Sequence, residues 1–327
     1  MRSVIKGLGV AVPPSVLTNQ DLEKMLDTTD EWITQRTGIK TRYKAPPDVA
    51  TSDLGAEACR RALEDAGVEK EKVEMLICAT ASPDTPLPST ACWMQPKLGI
   101  PGVPVFDVSA ACSGFLYGLT VADQFVKTGA YDNVLVVGAE ILSRIANWND
   151  RSTCVLVGDG AGAVLLGRGE GSSTRGIWGS KLHADGTFAK FLWTPAGGTV
   201  KPATHETVEQ GLHGFTMRGN ELFKVAVRHM TSVVFELLEE LGVGSEEIDW
   251  VVPHQANVRI LQSLAKRLKV PWERVVVTIE HYGNTSAASI PLSLHEAVED
   301  GRIKRGQKVL FVSFGGGLTW GASLVEW

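Results

Sequence analysis

An α/β fold built from two duplicated halves is what this 327-residue sequence predicts, on three observations. Short apolar runs rich in β-branched residues alternate with longer helical stretches, the pattern of helices packed on a mostly parallel sheet. The second half repeats the first at an offset of roughly 160 to 175 residues, too long for a solenoid period. In each half, one strand-to-helix corner then carries a chemically capable side chain.

In the first half, VEMLICAT (73–80), VPVFDV (103–108), NVLVVGAE (133–140) and TCVLVGDGAGAVLLG (153–167) predict buried strands. TSDLGAEACRRALEDAG (51–67) and SGFLYGLTVADQFVKTG (113–129) predict helices, the second stopped at Gly129. In the second half IDWVVPHQAN (248–257) parallels VEMLICAT, and RVVVTIEHYGNTSAAS (274–289) parallels VPVFDVSAACSGF. QKVLFVSFGGG (307–317) parallels DNVLVVGAE, and TWGASLVEW (319–327) parallels DGAGAVLLG. The expected halves are 1–172 and 173–327. Gly158, Gly160 and Ala163 fit a dinucleotide-binding fingerprint, but AVLLG continues as strand instead of helix. Nucleotide binding is therefore not expected there, and Asp159-Gly160 reads as a hairpin turn.

Composition narrows the function classes. The chain is 44% hydrophobic and 21% charged, enough apolar content for one large core or two moderate ones. It has no run of 18 apolar residues, and its first residues, MRSVIKGLGVAVPP, lack a signal-peptide core, so the expected location is the cytoplasm. A net charge of −5 argues against general nucleic-acid binding. The five cysteines are widely spaced without CxxC, so neither a disulfide framework nor a zinc site is expected. Cys59, Cys78, Cys92 and Cys154 sit among apolar or small residues and read as inert.

Cys112 differs. In DVSAACSGFLYGL (107–119) a strand ends, small residues turn, and Cys112 stands at the start of a helix. Unpaired N–H groups and the helix dipole there would favour the thiolate. A packed structural cysteine is the alternative. His254 ends a strand in VVPHQAN, where a structural histidine is the bland reading. Asn284 follows Gly283 in HYGNTSAAS, a placement that turn chemistry alone explains. Together the three occupy comparable corners of a duplicated chain, where open α/β sheets gather ligands.

Seven segments carry a resemblance: EWITQRTGIKTR (31–42), SAACSGF (109–115), RSTCVLVGDGAGAVLL (151–166), RGNELFKVAV (218–227), HQANVRI (254–260), YGNTSAASIP (282–291) and FGGGLTWGASL (314–324). In this order, and nearly end to end, they resemble the β-ketoacyl-[acyl-carrier-protein] synthase III family, the initiating condensing enzymes of bacterial fatty-acid synthesis. The resemblance implies a thiolase-like fold with a layered α-β-α-β-α core and no metal or cofactor. It implies that Cys112 takes an acyl group from acyl-CoA. His254 and Asn284 would then hold the thioester oxygen of malonyl-acyl-carrier protein during decarboxylation. The backbone N–H groups of Cys112 and Gly316 would form an oxyanion hole.

By the same resemblance Trp32, Arg36 and Arg151 meet the CoA adenine, and Gly219 and Asn257 lie near the pantetheine arm. Lys224, Arg259, Lys266 and Arg267 would face the acidic carrier protein; the last three lie in a stretch, 251–272, without Asp or Glu. The ASPDTPLPSTAC loop (81–92) places Leu87 where relatives can carry Phe, crossing a homodimer interface to close the acyl pocket. A smaller Leu87 would admit a longer or branched primer. A degradative thiolase would need a second cysteine near FGGGLTWG, which has none. Elongating condensing enzymes use two histidines, whereas Asn284 holds the third position here. A secondary-metabolism acyltransferase or ketosynthase on the same scaffold is the runner-up. A Cys-His-Asn hydrolase and a non-catalytic acyl-binding protein are the readings from other classes.

Overall fold

Nine strands of two sheets organise the chain in a computed structural model that describes residues 2–169 and 175–327. The first sheet contains β1 (Ser3–Ala11), β2 (Met75–Ala79), β3 (Val105–Val108), β4 (Asn133–Ile141) and β5 (Asp159–Arg168), in the order β1-β5-β4-β2-β3. The second contains β6 (Gly176–Ala184), β7 (Trp250–Pro253), β8 (Lys308–Gly315) and β9 (Thr319–Glu326), in the order β7-β8-β9-β6. Two short ribbons, Ser15–Thr18 with Thr41–Lys44 and Leu192–Trp193 with Thr216–Met217, stand apart from them.

Within the first sheet only β5 runs against its neighbours, pairing antiparallel with both β1 and β4. In the second, β9 does the same between β8 and β6. β4 pairs parallel with β2, and β8 pairs parallel with β7. Beyond β7 an isolated parallel bridge from Val251 to Val275 stands where β3 stands in the first sheet. The internal sequence repeat is thus a repeat of topology.

Seven longer helices complete the layers: α1 (Asp30–Thr37), α2 (Thr51–Ala66), α3 (Thr90–Leu98), α4 (Gly114–Lys127), α5 (Gly219–Leu241), α6 (Val258–Leu268) and α7 (Ser289–Glu299). α4 and α7 lie between the sheets and touch both. That position explains why Phe115, Leu116, Leu119, Ile290 and Leu294 are buried together with Val136, Val252 and Phe311 from the two sheets. α2 and α3 cover the outer face of the first sheet, and α5 packs on the outer face of the second. The α-β-α-β-α sandwich expected from the sequence is the fold.

Two local expectations differ. The strand expected from residue 153 begins at Asp159, because Asp150 caps a helical turn, Arg151–Cys154, by accepting from the Ser152 N–H at 2.9 Å. Asp159 and Gly160 are no hairpin turn; both lie inside β5. The Asp159 carboxylate is buried there, accepting from Ala45 N, Ser143 N and Ser143 Oγ at 2.8, 2.9 and 2.6 Å. Among the described residues, no helix is long and apolar enough to cross a membrane.

Candidate active site

Three corners of the duplicated scaffold open on one cleft of about 630 Å³, lined by Cys112, His254 and Asn284 together with Trp32, Phe223 and Gly315, among others. Each corner has its own means of holding its side chain.

At the first, β3 ends and the chain turns through Ala111 at φ +45°, a left-handed conformation that a non-glycine residue adopts at a cost. A 3-10 turn (Ala111–Ser113) follows before α4 begins at Gly114. Ser113 Oγ donates to Thr319 O at 3.1 Å and Thr319 Oγ1 donates to Ala110 O at 2.9 Å, tying this turn to the opposite half. Gly315 closes the approach: a Cβ there would lie 2.7 Å from the Cys112 nitrogen, so the contact requires glycine.

At the second, His254 N donates to Val312 O at 2.8 Å, prolonging the β7–β8 ladder by one residue. Gln255 locks the corner. Its Nε2 donates to Pro253 O and Val276 O, and its Oε1 accepts from Thr278 N and Ile279 N, all within 2.9–3.1 Å. The buried His254 ring meets Ser289 Oγ through Nδ1 at 2.7 Å, which leaves Nε2 for the cleft.

At the third, Asn284 N donates to Leu156 O at 2.8 Å and Asn284 O accepts from Gly158 N at 2.9 Å. Its side-chain Oδ1 accepts from Ser286 N at 2.9 Å. With the oxygen engaged, the Nδ2 donors are the free end of the amide.

Burial dominates the electrostatics. The Cys112 thiol is pushed up to about 12, mainly by desolvation, against smaller opposing contributions from Ser286 and its own backbone N–H. The thiolate expected from a helix start is therefore not the resting form. Cys112 precedes the first residue of α4 by two positions, so it misses the first-turn N–H groups that would stabilise the anion. Desolvation also pulls His254 down to about 3, which keeps the imidazole neutral near pH 7. The cleft thus holds a thiol, a neutral imidazole and a primary amide, all uncharged, fit for proton transfer and for donating to a developing oxyanion.

The remaining expected residues divide by place. Trp32, Arg36, Gly219, Lys224, Asn257 and Arg259 line the cleft. Arg36 and Arg151 set their guanidinium carbons 5.0 and 5.1 Å from the Trp32 ring centroid. Asn257 caps α6 through Arg259 N and also donates to Arg36 O at 2.9 Å, joining that helix to α1. Lys266 and Arg267 are exposed on α6, outside the cleft. In the glycine run, Gly315 lines the cleft, while Gly316 faces Leu192. Leu87 is 86% exposed and does not line the cleft of its own chain.

Sequence reading passed over Gln255, Ser286, Ser289 and Glu140. Glu140, the penultimate residue of β4, is fully buried and accepts from Ser82 Oγ at 2.5 Å and from Ala81 N and Ser82 N at 3.1 Å. Burial raises its carboxyl above the usual range. Their common signal was polar residues in otherwise apolar or small-residue runs. Among the described residues, no group of three or more His, Cys, Asp or Glu is placed to hold a metal ion.

Comparison with known proteins places this geometry. The family model for 3-oxoacyl-[acyl-carrier-protein] synthase III matches residues 106–186, and that for its C-terminal part matches 238–327. The chain is 55% identical over 323 residues to β-ketoacyl-[acyl-carrier-protein] synthase III of Caldanaerobacter subterraneus subsp. tengcongensis, covering 99% of this chain and 97% of the relative. It is 51% identical to the synthase III of Thioalkalivibrio sulfidiphilus, covering 98% of each. Among solved structures, the Aquifex aeolicus 3-oxoacyl-[acyl-carrier-protein] synthase III superposes with a TM-score of 0.91 at 48% identity, covering 99% of this chain and 100% of that one. A priming β-ketosynthase of the R1128 polyketide pathway matches at 34% identity and a TM-score of 0.90, covering 99% of this chain and 95% of that one. With both halves matched and relatives aligned from end to end, the chain belongs to the β-ketoacyl-[acyl-carrier-protein] synthase III family.

Proposed function

We propose that this protein condenses an acyl-CoA primer with malonyl-acyl-carrier protein, releasing CoA and carbon dioxide and leaving a 3-oxoacyl-carrier protein that starts fatty-acid synthesis. The observation that carries the mechanism is the convergence of a thiol, a neutral imidazole and an oriented amide on one cleft. The higher identity to fatty-acid synthases III, 55% against 34% for the polyketide priming enzyme, favours the primary lipid reading over the specialised one.

In the loading step Cys112 Sγ attacks the thioester carbonyl and a carbon–sulfur bond forms. The bond to CoA breaks, and the proton of the thiol leaves with CoA as its thiol. His254 Nε2 is the group available to pass that proton. In the second step the malonyl carbon–carboxylate bond breaks and its electron pair enters the enolate. Asn284 Nδ2 and His254 Nε2 donate to the enolate oxygen, each worth about 2.7–4 kcal/mol. For His254 to donate from Nε2, Nδ1 must accept, so the single proton of the Ser289 hydroxyl must turn from Ser286 O, which it reaches at 2.9 Å, to Nδ1 at 2.7 Å. The carbanion attacks acyl-Cys112, a carbon–carbon bond forms, the Cys112 and Gly316 N–H groups hold the oxyanion, and its collapse breaks the carbon–sulfur bond, the departing Cys112 sulfur taking a proton from solvent.

Trp32, Arg36 and Arg151 bind the adenine end of CoA, and Gly219 and Asn257 the pantetheine arm. Lys224, Arg259, Lys266 and Arg267 form a cationic approach for the carrier protein. A homodimer fits the surface: edge strand β3 is only partly buried, and Leu87 and Trp93 are exposed. Leu87 of a second copy would then close the acyl pocket; replacing it with Phe should shorten the accepted primer, and an unchanged chain-length profile would remove that role.

The decisive experiment is intact mass after incubation with acyl-CoAs from acetyl to about dodecanoyl, branched forms included. An acyl adduct in wild type and none in Cys112→Ala is expected. No adduct with any member would overturn the acyl-CoA priming reading.

A further inference from the structure

Arg42 is the largest fully buried side chain among the described residues, at 1% exposure. Its hydrogen-bond partners are neutral. Nη1 donates to Asn19 Oδ1 at 2.8 Å and to Leu17 O at 3.4 Å, and Nη2 donates to Val155 O at 2.7 Å. Desolvation pulls its pKa down to about 10. A buried guanidinium held by neutral acceptors is a costly way to stabilise a fold, so its value lies in the geometry it imposes.

That geometry converges on Asn284. The stem of Arg42 lies between Gly158 and Gly283: a Cβ added to either would come within 3.3 or 3.1 Å of Arg42 Cβ. A Cβ at Gly158 would also fall 2.1 Å from Tyr282 O, and one at Gly283 would fall 3.0 Å from Leu156 O. These glycines belong to the two segments that grip the Asn284 backbone, through Asn284 N to Leu156 O and Gly158 N to Asn284 O. The far end of Arg42 holds Val155 O, the carbonyl just before that grip. In the other direction, Asn19 carries the chain of contacts onward. Its Nδ2 donates to Asp30 Oδ1 and to Ile39 O, both at 2.7 Å, and Asp30 opens α1, the helix of Trp32 and Arg36.

We infer that Arg42 is a positioning residue: it sets the Asn284 amide against the reacting oxygen. The inference rests on the proposed role of Asn284 as a donor in the decarboxylation step. The Arg42 fork makes three directed bonds from one rigid plane, which lysine cannot reproduce and methionine cannot make at all.

The test uses the full chain with Arg42→Lys, Arg42→Met, Asn284→Ala and the Arg42→Lys/Asn284→Ala double variant. Two rates are read separately: acyl transfer from acyl-CoA to Cys112 by intact mass, and carbon dioxide release from malonyl-carrier protein. Both Arg42 variants are expected to slow carbon dioxide release by about 10- to 100-fold while acyl loading stays within about 3-fold of wild type. The double variant is expected to be no slower than Asn284→Ala alone, because Arg42 acts on the decarboxylation step only through the Asn284 amide, which that variant has already lost. Normal carbon dioxide release in the Arg42 variants, equal loss of both steps, or additive loss in the double variant would overturn the inference while leaving the Asn284 donor intact. Unchanged carbon dioxide release in Asn284→Ala would instead overturn the donor reading and this inference with it. If Arg42→Met does not fold, Arg42→Lys alone carries the comparison, since it keeps the charge and loses only the fork.

Discussion

Two turns of this molecule share a backbone and differ in chemistry. Ala111–Ser113 leads into α4 and Ser286–Ala288 leads into α7; each opens on a left-handed residue, Ala111 at φ +45° and Ser286 at φ +48°. By this register Cys112 corresponds to Ala287. Cys112 is half-buried at the cleft, whereas Ser286, Ala287 and Ala288 are buried. The second turn contributes from its flanks instead: Asn284 before it and Ser289 after it, with Ser286 N holding the Asn284 oxygen. Duplication therefore copied a strained corner, and side chains divided the labour between nucleophile and donor. Strain that recurs at both corners, with only one bearing a nucleophile, belongs to the scaffold.

Changing Cys112 to alanine gives the first turn the same middle residue as the second, Ala287, and it is expected to abolish the acyl adduct outright. Mass spectrometry reads this directly. Asn284→Ala attacks the other side of the comparison. Carbon dioxide release should fall by about 10²- to 10³-fold with loading preserved, as for loss of one oxyanion donor; a matching fall in loading would show that the two turns do not divide the steps. Gly138→Ala tests how closely the second turn is seated, since a Cβ would lie 2.3 Å from Ala287 O. A destabilisation of about 1–3 kcal/mol in urea melts is expected, and a neutral result would mean that the turn yields easily.

The pH dependence of stability separates the buried His254 from the surface. Its folded pKa, about 3, lies below the ordinary imidazole value of 6.5 because burial disfavours the charged ring. Between these values the unfolded chain binds the proton and the folded chain does not, so stability rises with pH and is lost as pH falls from 6.5 towards 3. His254→Gln should flatten this acid slope by up to about 1.4 kcal/mol per pH unit, read by melts from pH 4 to 7. Smallest is Ser289→Ala, which removes one buried hydrogen bond to His254 Nδ1. It should cost about 0.5–1.5 kcal/mol of transition-state stabilisation in the decarboxylation step. An unaltered rate would mean that the second turn does not set the ring.

Much of this was legible from residue order. Strand and helix periodicity, the long internal repeat and the small-residue corners follow from local sterics and from which faces must be buried, so they predict a duplicated α/β sandwich without coordinates. Cys112, His254 and Asn284, each weak alone, stood out together because they occupy comparable strand-to-helix corners of a repeated chain and lie in segments that resemble one family. Protonation state was not legible. A helix start suggested a thiolate at Cys112, yet desolvation by the whole surrounding fold leaves a thiol. Nor could residue order give the supports. Arg42 reads as one cation among 32 lysines and arginines; it is buried against Gly158 and Gly283 only because segments more than 100 residues away close over it. Gln255, Glu140 and Ser289 are likewise ordinary in sequence and become structural through partners far along the chain or across a corner. Local pattern specifies elements, because periodicity and turn chemistry act over a few residues. Burial, pKa and the aim of an amide are sums over neighbours that only the assembled sandwich brings together.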